Sequence, residues 1–330
     1  MAVEREALHP AVQRVIEQFE ALELHAARSG REVMDALTQV VLDSRAANSA
    51  ALSGEIEAAV RALLAAMPAY APPLNVMHRI MSRLEEAQNT DATTEDLRRA
   101  FEHEAAAFHD WSSSARARIT AYGAEIIPDG ATVFTYTLSE TALRTLWEAA
   151  RRGKRFRVLV TESRPNNDGL VTATELSKEG VDVSVSVDAC IAELIRQADL
   201  MMVGAEAIMP DGSAVCKVGT YPSALVAKSC GVPVYVTVDT LKFNVTALSG
   251  LSLRVDPICR SDLSADDSVN VVGHLFDRTP PELLRGIITE RGILSPRACA
   301  GVMAGMPMSQ RLIDRLRVWN QPDLDTTRIM

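Results

Sequence analysis

Polar and charged side chains follow several short apolar segments in the second half of this sequence. The segment "VFTY" ends at Tyr136 and leads into Thr137 and Ser139, "VDVSVSV" leads into Asp188, and "DLMMV" leads into "GAE", which ends at Glu206. A carboxylate that directly follows a buried strand is partly desolvated, and such a group suits proton transfer or hydrogen bonding to sugar hydroxyls. These strand ends are therefore the candidate site.

Cationic residues and a helix start occur in the same part of the chain. Lys217 stands in "VCKVGT", where Gly219 and Thr220 open a helix whose free N–H groups favour an anion. Arg164 precedes Pro165 at a strand end, a placement that suits a fixed bidentate anion contact, although an ordinary surface arginine is an equal alternative. We predict a phosphate site whose ligand-binding residues are Tyr136, Thr137, Ser139, Arg164, Asp168, Lys217, Gly219, Thr220 and Lys242.

A purely structural role is an alternative for each strand-end residue taken singly, because Asp, Ser and Thr are common helix caps and turn formers. Thr137 and Glu140, for example, have the spacing of a capping box, which would account for both residues. The structural alternative is weaker for the whole set, since so many polar groups are expected at one edge of the sheet.

The elements that position these residues follow from the periodicity of apolar side chains. From residue 8 to about residue 124 the apolar spacing is helical, and from residue 131 short β-rich runs alternate with helices. That alternation predicts an α/β protein in which a helical bundle precedes a doubly wound, mainly parallel sheet, with domains at 1–124 and 125–330. Ligands of such sheets lie beyond the carboxyl ends of the strands.

Composition excludes several classes of function. The 34 basic and 43 acidic residues give a formal charge of -9, which argues against nucleic-acid binding. Five cysteines show no paired or metal-ligand spacing, and no GxGxxG or Walker motif follows the first strand, so we expect neither metal nor cofactor. The N-terminus has no apolar core and no segment is long enough to span a membrane, so we expect a cytoplasmic protein without membrane contact.

Five ordered segments carry a resemblance to a known superfamily: "TESRPNNDGLVTATEL", "DLMMVGAEAI", "DGSAVCKVGTYPSALVAK", "TLKF" and "FDRTPPELLRGIITERGILSP". Here the sequence resembles the alpha, beta and delta subunits of translation initiation factor 2B, whose enzyme relatives are methylthioribose-1-phosphate isomerase and ribose-1,5-bisphosphate isomerase. The resemblance implies a Rossmann-like C-terminal domain that forms a homodimer or a higher oligomer. It also implies a sugar-phosphate pocket between the two domains.

The sequence departs from the isomerases at the residues that carry their chemistry. Those enzymes have a cysteine acid/base in a "THC" motif and an aspartate in a "GAD" motif, whereas this sequence has "TYT", ending at Thr137, and "GAE", ending at Glu206. A threonine hydroxyl is too weakly acidic to replace a thiol that must exchange its proton. Cys216 stands before the lysine of the family's "NK" pair, and it is a candidate for the missing acid.

Three functions are therefore open. The leading hypothesis is a homologue of the alpha subunit that binds a sugar phosphate or a nucleoside monophosphate without cysteine-dependent isomerisation. Arg164, Lys217 and the helix start at Thr220 would hold the phosphate, while Asp188 and Glu206 would bind the hydroxyls. The first alternative is an aldose-1-phosphate isomerase, with Glu206 as base and Cys216 or Asp188 as acid. The second alternative is a subunit of a guanine-nucleotide exchange complex.

Overall fold

The computed structural model describes residues 8–21, 26–67, 70–90, 92–251, 257–263, 266 and 268–319. Within these ranges no helix combines the length and the apolar character that a membrane crossing requires. The described chain consists of a set of helices followed by strands and helices in alternation, so the predicted fold class is confirmed.

Among the described residues, the first part of the fold contains five helices: α1 (Pro10–Glu20), α2 (Ala26–Asp43), α3 (Ser49–Ala66), α4 (Ala71–Asn89) and α5 (Thr94–Ile126). Their start points follow local sequence signals, since Asn48 caps α3 and Thr93 forms a capping box with Asp96 at the start of α5. One apolar stripe on each helix faces a shared core, in which Leu37, Ile56 and Met77 are fully buried.

The part of the chain that the structure describes then contains ten strands: β1 (Thr132–Thr135), β2 (Arg157–Thr161), β3 (Asp182–Ser186), β4 (Leu200–Gly204), β5 (Ala207–Ile208), β6 (Ala214–Lys217), β7 (Val234–Thr237), β8 (Phe276–Thr279), β9 (Gly286–Thr289) and β10 (Gly292–Leu294). Seven of them form one sheet in the order β10-β9-β7-β4-β1-β2-β3, and only the β9–β10 pair is antiparallel. Val133 of β1, which is fully buried, pairs with Val158 of β2 and Leu200 of β4. The sheet is therefore mainly parallel, as the alternation predicts.

A second, antiparallel sheet of β5, β6 and β8 was not among the predicted elements. Its strands have only two to four residues, which is too short for a period to be read from the sequence. This small sheet holds Lys217 at the end of β6, where it pairs with Phe276 of β8.

The helices of the second part are α6 (Glu140–Arg151), α7 (Asp168–Lys178), α8 (Ile191–Ile195), α9 (Thr220–Cys230), α10 (Arg260–Leu263), α11 (Cys299–Ala304) and α12 (Gln310–Trp319). The last of them returns to the N-terminal helices, because Leu312 and Leu316 belong to the helical core. The backbone N–H of Ser309 also donates to Nδ1 of the buried His78 (3.1 Å). The division after residue 124 stays a prediction; it falls two residues before α5 ends, and α12 joins the helical core from the far end of the chain.

Candidate functional site

The order of the strands defines where a ligand should bind. Strands β2 and β3 lie on one side of β1, while β4, β7 and β9 lie on the other, so the direction of winding reverses between β1 and β4. The loops that leave the carboxyl ends of two such strands separate and form a crevice. A cavity of about 320 Å³ lies here, and it is lined by residues from both loops.

Six of the predicted site residues line this cavity: Thr137, Ser139, Asp168, Glu206, Lys217 and Lys242. The other six predicted residues are not part of its lining: Tyr136, Arg164, Asp188, Cys216, Gly219 and Thr220. The structure thus brings together the residues of the loops after β1 and β4 and the two lysines, and it places the remainder around them or in the core.

The loop after β1 has a close-packed conformation. Thr137 adopts a left-handed backbone (φ 61°), which is unfavourable for a β-branched residue. The cap of α6 is Ser139, whose hydroxyl oxygen accepts from the N–H of Ala142 (3.3 Å), so the expected capping box of Thr137 and Glu140 is wrong. Gly204 lies so close that a Cβ there would be 2.0 Å from Oγ of Ser139. Only glycine fits this contact between the two loops.

Two lysine–carboxylate pairs dominate the charge of the cavity. Nζ of Lys217 is 3.6 Å from Oδ2 of Asp168, and Nζ of Lys242 is 3.9 Å from Oε2 of Glu206. Both distances exceed ordinary hydrogen-bond lengths, so each ammonium group keeps donors for a further partner. Lys242 also donates to the carbonyl oxygen of Ala205 (2.6 Å), which fixes its position. Because the Lys217 side chain is only 7% exposed, its charge is weakly screened.

Nine further residues line the cavity and were not predicted as site residues. Five belong to the end of β4, the loops after β1 and β4 and the first turn of α6, and the other four are Arg28, Tyr70, Asn166 and Phe276. Arg28 belongs to α2 and Tyr70 precedes α4, so the helical part contributes directly to the site. Nζ of Lys217 lies 6.0 Å from the ring centroid of Phe276, within cation–π range. An arginine on a helix carries no local signal of such a role, because only the packing of the two parts places it there.

The start of α9 was predicted to bind a phosphate, but in this structure a side chain of the protein accepts from its N–H groups. Oδ2 of Asp277 accepts from the N–H groups of Gly219 (2.8 Å) and Tyr221 (3.0 Å). Burial raises the pKa of Asp277 to about 6, although these N–H donors act in the opposite direction. Thr220 is buried, and its hydroxyl donates to the Lys217 carbonyl (2.7 Å).

Tyr136 and Gly219 form the packing between β1 and the start of α9. The hydroxyl of Tyr136 donates to the carbonyl oxygen of Val218 (3.0 Å), and burial raises the pKa of Tyr136 to about 12. Gly219 has φ 104°, and a Cβ on it would lie 2.2 Å from the Tyr136 hydroxyl. Both residues therefore support the loop that carries Lys217, and neither lines the cavity.

Arg164 and Asp188 also differ from the prediction. The carboxylate of Asp188 accepts from the N–H groups of Ser163 (2.9 Å) and Arg164 (2.8 Å), so it holds the loop after β2. Arg164 is exposed and its guanidinium donates to the carbonyl oxygen of Asp262 (3.1 Å). Neither side chain lines the cavity, although Asn166 of the same loop does.

Cys216, the candidate for the missing acid, is not among the residues that line the cavity. Successive residues of a strand point to opposite faces, so the side chains of Cys216 and Lys217 diverge. Cys216 is 1% exposed and belongs to the core of the sheet, together with Phe134 and Val203. Burial raises the pKa of its thiol well above the usual value, and the negative charges of Asp277 and Glu206 act in the same direction.

No set of three or more histidine, cysteine, aspartate or glutamate side chains that could hold a metal ion occurs in the described ranges. The cavity thus offers ammonium, guanidinium, hydroxyl and carboxylate groups. Such a set can bind a small anion that also carries hydroxyl groups. Fold and cavity together define an α/β protein with a polar cavity at the switch point of its sheet.

Comparison with known proteins identifies the family. The sequence profile of the Initiation factor 2 subunit family matches residues 24–296. Ribose 1,5-bisphosphate isomerase of Thermococcus kodakarensis is 30% identical over 311 residues, which cover 92% of this chain and 95% of that protein. The protein of the same name from Haloferax volcanii is 29% identical over 303 residues, covering 90% and 92%. The chain belongs to the initiation factor 2 subunit family.

Solved structures agree with this assignment. The translation initiation factor eIF-2B of Pyrococcus horikoshii has a TM-score of 0.71 and 27% identity, and the match covers 88% of this chain and 98% of that one. The 5-methylthioribose 1-phosphate isomerase of the same organism has a TM-score of 0.71 at 23% identity, with coverage of 94% and 88%. The second likeness concerns the fold alone. The resemblance found in the sequence segments is confirmed.

Proposed function

We propose that the cavity binds a phosphorylated aldose. The observation that carries this proposal is the convergence of two lysine–carboxylate pairs, Lys217 with Asp168 and Lys242 with Glu206, on one cavity at the switch point of the sheet. The ammonium groups suit a phosphate, and the carboxylates suit the hydroxyl groups of a sugar. The names of the ribose 1,5-bisphosphate isomerase relatives support a sugar carrying phosphate groups.

The position of Arg28 favours a ligand with two phosphate groups. Its side chain lines the cavity from α2, whereas both lysines are supplied by the sheet part. Arg28 also forms an exposed pair with Glu32 (3.4 Å), which a surface-exposed phosphate can replace at little cost. A phosphate near the lysines and a second one near Arg28 would place the sugar ring between the two parts of the protein.

The first candidate function is binding of the sugar phosphate without the cysteine-dependent isomerase reaction. Thr137 stands where the resemblance places the isomerase cysteine, and it lines the cavity. Its hydroxyl donates to Oδ2 of Asp168 (3.4 Å), so it can orient that carboxylate but cannot exchange a proton as a thiolate does. The burial of Cys216 in the core supports the view that it does not replace the missing thiol.

Isomerisation of the bound aldose 1-phosphate to a ketose is the second candidate. Two features favour it: the isomerase relatives match about nine-tenths of the chain, and Glu206 and Asp168 both line the cavity. In such a reaction an acid protonates the ring oxygen as its bond to C1 breaks, and a carboxylate removes the proton from C2. A proton is then delivered to C1 while the hydroxyl on C2 loses its proton and becomes the ketone, and a neighbouring ammonium group stabilises the oxygen on C2. The reaction needs no external oxidant, because C1 is reduced as C2 is oxidised.

A role as one subunit of a nucleotide-exchange complex is the third candidate. The initiation factor eIF2B subunit alpha of Dictyostelium discoideum is 35% identical over 199 residues, which cover 57% of this chain and 62% of that protein. That match leaves much of both chains unmatched, so it supports a common family more than it supports assembly into the same kind of complex.

A homodimer is the expected oligomeric state, and native mass spectrometry of the purified protein would test it.

Calorimetric titration with ribose 5-phosphate, ribose and inorganic phosphate tests the binding proposal. We expect ribose 5-phosphate to bind more tightly than ribose by roughly tenfold to a hundredfold, because each charge-assisted contact contributes about 1.5–3 kcal/mol. Lys217→Met should remove most of this difference. Lys228→Met, the same change at an exposed lysine outside the cavity, is the matched control. Equal affinities for ribose and its phosphate would refute the proposal.

The same proteins distinguish binding from turnover. Incubation with ribose 1,5-bisphosphate followed by ³¹P NMR reports a ketose product directly. The first candidate predicts a stable complex without product. Product formation that Glu206→Gln abolishes, with binding retained, would replace it by the second candidate.

A further inference from the structure

A second polar cavity, of about 280 Å³, lies between the helical part and the sheet part. Its wall includes Asn75 and Arg79 of α4, Trp111 of α5, Arg291 after β9, and the turn at Thr240 and Leu241. The next residue of that turn, Lys242, lines the sugar-phosphate cavity. One short turn thus contributes to both cavities.

The charge of this second cavity is positive. Arg79 and Arg291 both lie on its wall, and none of its described lining residues is acidic. Arg79 pairs with the nearly buried Glu104 (2.7 Å), but Arg83 contacts the other carboxylate oxygen of Glu104 (3.2 Å), so that carboxylate is shared by two guanidinium groups. The side chain of Arg291 has no hydrogen bond or ion pair within the part of the chain that the structure describes.

Two further side chains favour an organic anion over an inorganic one. Trp111, half-buried, offers an aromatic surface to the cavity. Asn75 is 3% exposed, and its Oδ1 accepts no hydrogen bond from the described residues. A ring stacked on the indole, an anionic group at the arginines and a donor for the Asn75 oxygen would together complete the site.

We propose that this cavity is a second ligand site, for a small planar organic anion such as an aryl phosphate, and that its occupancy changes the affinity of the sugar-phosphate cavity. The connection is the turn from Thr240 to Lys242. Nδ2 of Asn75 donates to the carbonyl oxygens of Leu241 (2.6 Å) and Phe243 (2.7 Å), so a ligand that moves Asn75 also moves the turn.

The far end of the turn determines the charge pattern of the first cavity. Lys242 contacts both the Ala205 carbonyl and Glu206 through one ammonium group. A displacement of the turn therefore alters how Lys242 divides its contacts between the protein and a phosphate. By thermodynamic linkage, the sugar phosphate must change the affinity of the second ligand by the same factor.

Phenyl phosphate is the probe for the second site. The double variant Trp147→Phe/Trp319→Phe keeps Trp111 as its single tryptophan, and calorimetry on the unaltered protein checks the affinity. We expect a saturable change in Trp111 fluorescence with phenyl phosphate, weaker binding of inorganic phosphate, and none of phenol. Arg291→Gln should weaken phenyl phosphate about tenfold or more. Arg297→Gln, at an exposed arginine outside the cavity, and Lys217→Met should leave its binding within about twofold.

The second half of the test is the coupling, which rests on the proposed function. Saturating phenyl phosphate should change the affinity for ribose 5-phosphate by about fivefold or more. No binding of phenyl phosphate, or loss of its binding in Lys217→Met but not in Arg291→Gln, would overturn the second site. An unchanged ribose 5-phosphate affinity would overturn the coupling. Failure of ribose 5-phosphate to bind at all would instead refute the proposed function, because the Trp111 signal does not depend on it.

Discussion

Replacement of Asp277 by asparagine should change how stability depends on pH. Oδ2 of Asp277 caps α9 through the N–H groups of Gly219 and Tyr221, while its Oδ1 is buried without a partner in the described structure. Asparagine has the same shape and keeps one carbonyl oxygen for both N–H groups. The substitution therefore removes the buried charge and retains the cap.

The sign and size of the effect follow from the pKa of this carboxyl group. The ordinary pKa is 3.8, and burial raises it to about 6 in the folded protein, so between these values the folded state binds more protons than the unfolded state. The carboxyl group therefore favours folding at low pH, and this contribution is lost as pH rises through about 6. Because one pKa unit corresponds to about 1.4 kcal/mol, the full difference is about 3 kcal/mol.

Urea unfolding of the unaltered protein and of Asp277→Asn, followed by tryptophan fluorescence, measures this difference. The free energy of unfolding of the variant relative to the unaltered protein should increase by up to about 3 kcal/mol between about pH 4 and about pH 7.5. Asp277→Ala, which removes the cap as well, should cost about 1 kcal/mol more than the asparagine variant across that range. If the free energy of unfolding depends on pH in the same way in the unaltered protein and in Asp277→Asn, burial does not disfavour the charge of Asp277 and the reasoning is refuted.

Three further predictions concern packing, acid stability and thiol reactivity. Gly204→Ala should destabilise the protein by about 1–3 kcal/mol in thermal unfolding, because its Cβ would overlap Ser139, whereas Gly54→Ala, where no atom lies within 4 Å, should be neutral or stabilising. Burial lowers the pKa of His78 to about 4 from 6.5, so neutral His78 supports folding above about pH 6.5, and that support is lost as pH falls. In urea titrations, His78→Gln should therefore lose less free energy of unfolding on acidification than the unaltered protein, by up to about 3 kcal/mol. The same dependence of the unfolding free energy on pH in both proteins would contradict this. A thiol reagent applied to the native protein should modify the exposed Cys230 and Cys259 and spare the buried Cys216 and Cys299, as peptide mass spectrometry would show; rapid modification of Cys216 would mean that it reaches solvent.

The sequence was sufficient for β1, β2, β3, β4 and β7 of the main sheet and for half of the site, but it did not indicate β9 and β10. Strands β1, β2 and β4 are short apolar runs between clear helices, and the residues after β1 and β4 meet because parallel strands end at one edge. The role of Asp277 could not be predicted from the sequence, because it depends on a strand of the small antiparallel sheet that lies beside the start of α9. Arg28 was missed for a similar reason, because its place depends on how the two parts of the chain pack together.

The position of Asp277 has a consequence for ligand selectivity. Because its carboxylate takes the N–H groups at the start of α9, a phosphate in the neighbouring cavity must rely on the side chains of Lys217 and Lys242. Each of these lysines already faces a carboxylate, Asp168 or Glu206. A phosphate that draws the ammonium groups away leaves the two carboxylates without their cationic partners, which is unfavourable in a cavity.

A sugar phosphate resolves this conflict and inorganic phosphate does not. The hydroxyl groups of the sugar can donate to Asp168 and Glu206 as the lysines turn to the phosphate, so that every group keeps a partner. We therefore expect ribose 5-phosphate to bind at least about tenfold more tightly than inorganic phosphate in calorimetric titrations. Glu206→Gln should reduce this difference in affinity. A neutral amide is a weaker acceptor for the sugar hydroxyl, and leaving it unpaired costs less free energy than leaving a carboxylate unpaired. Equal affinities for the two anions would mean that the lysines act alone and that the carboxylates take no part in recognition.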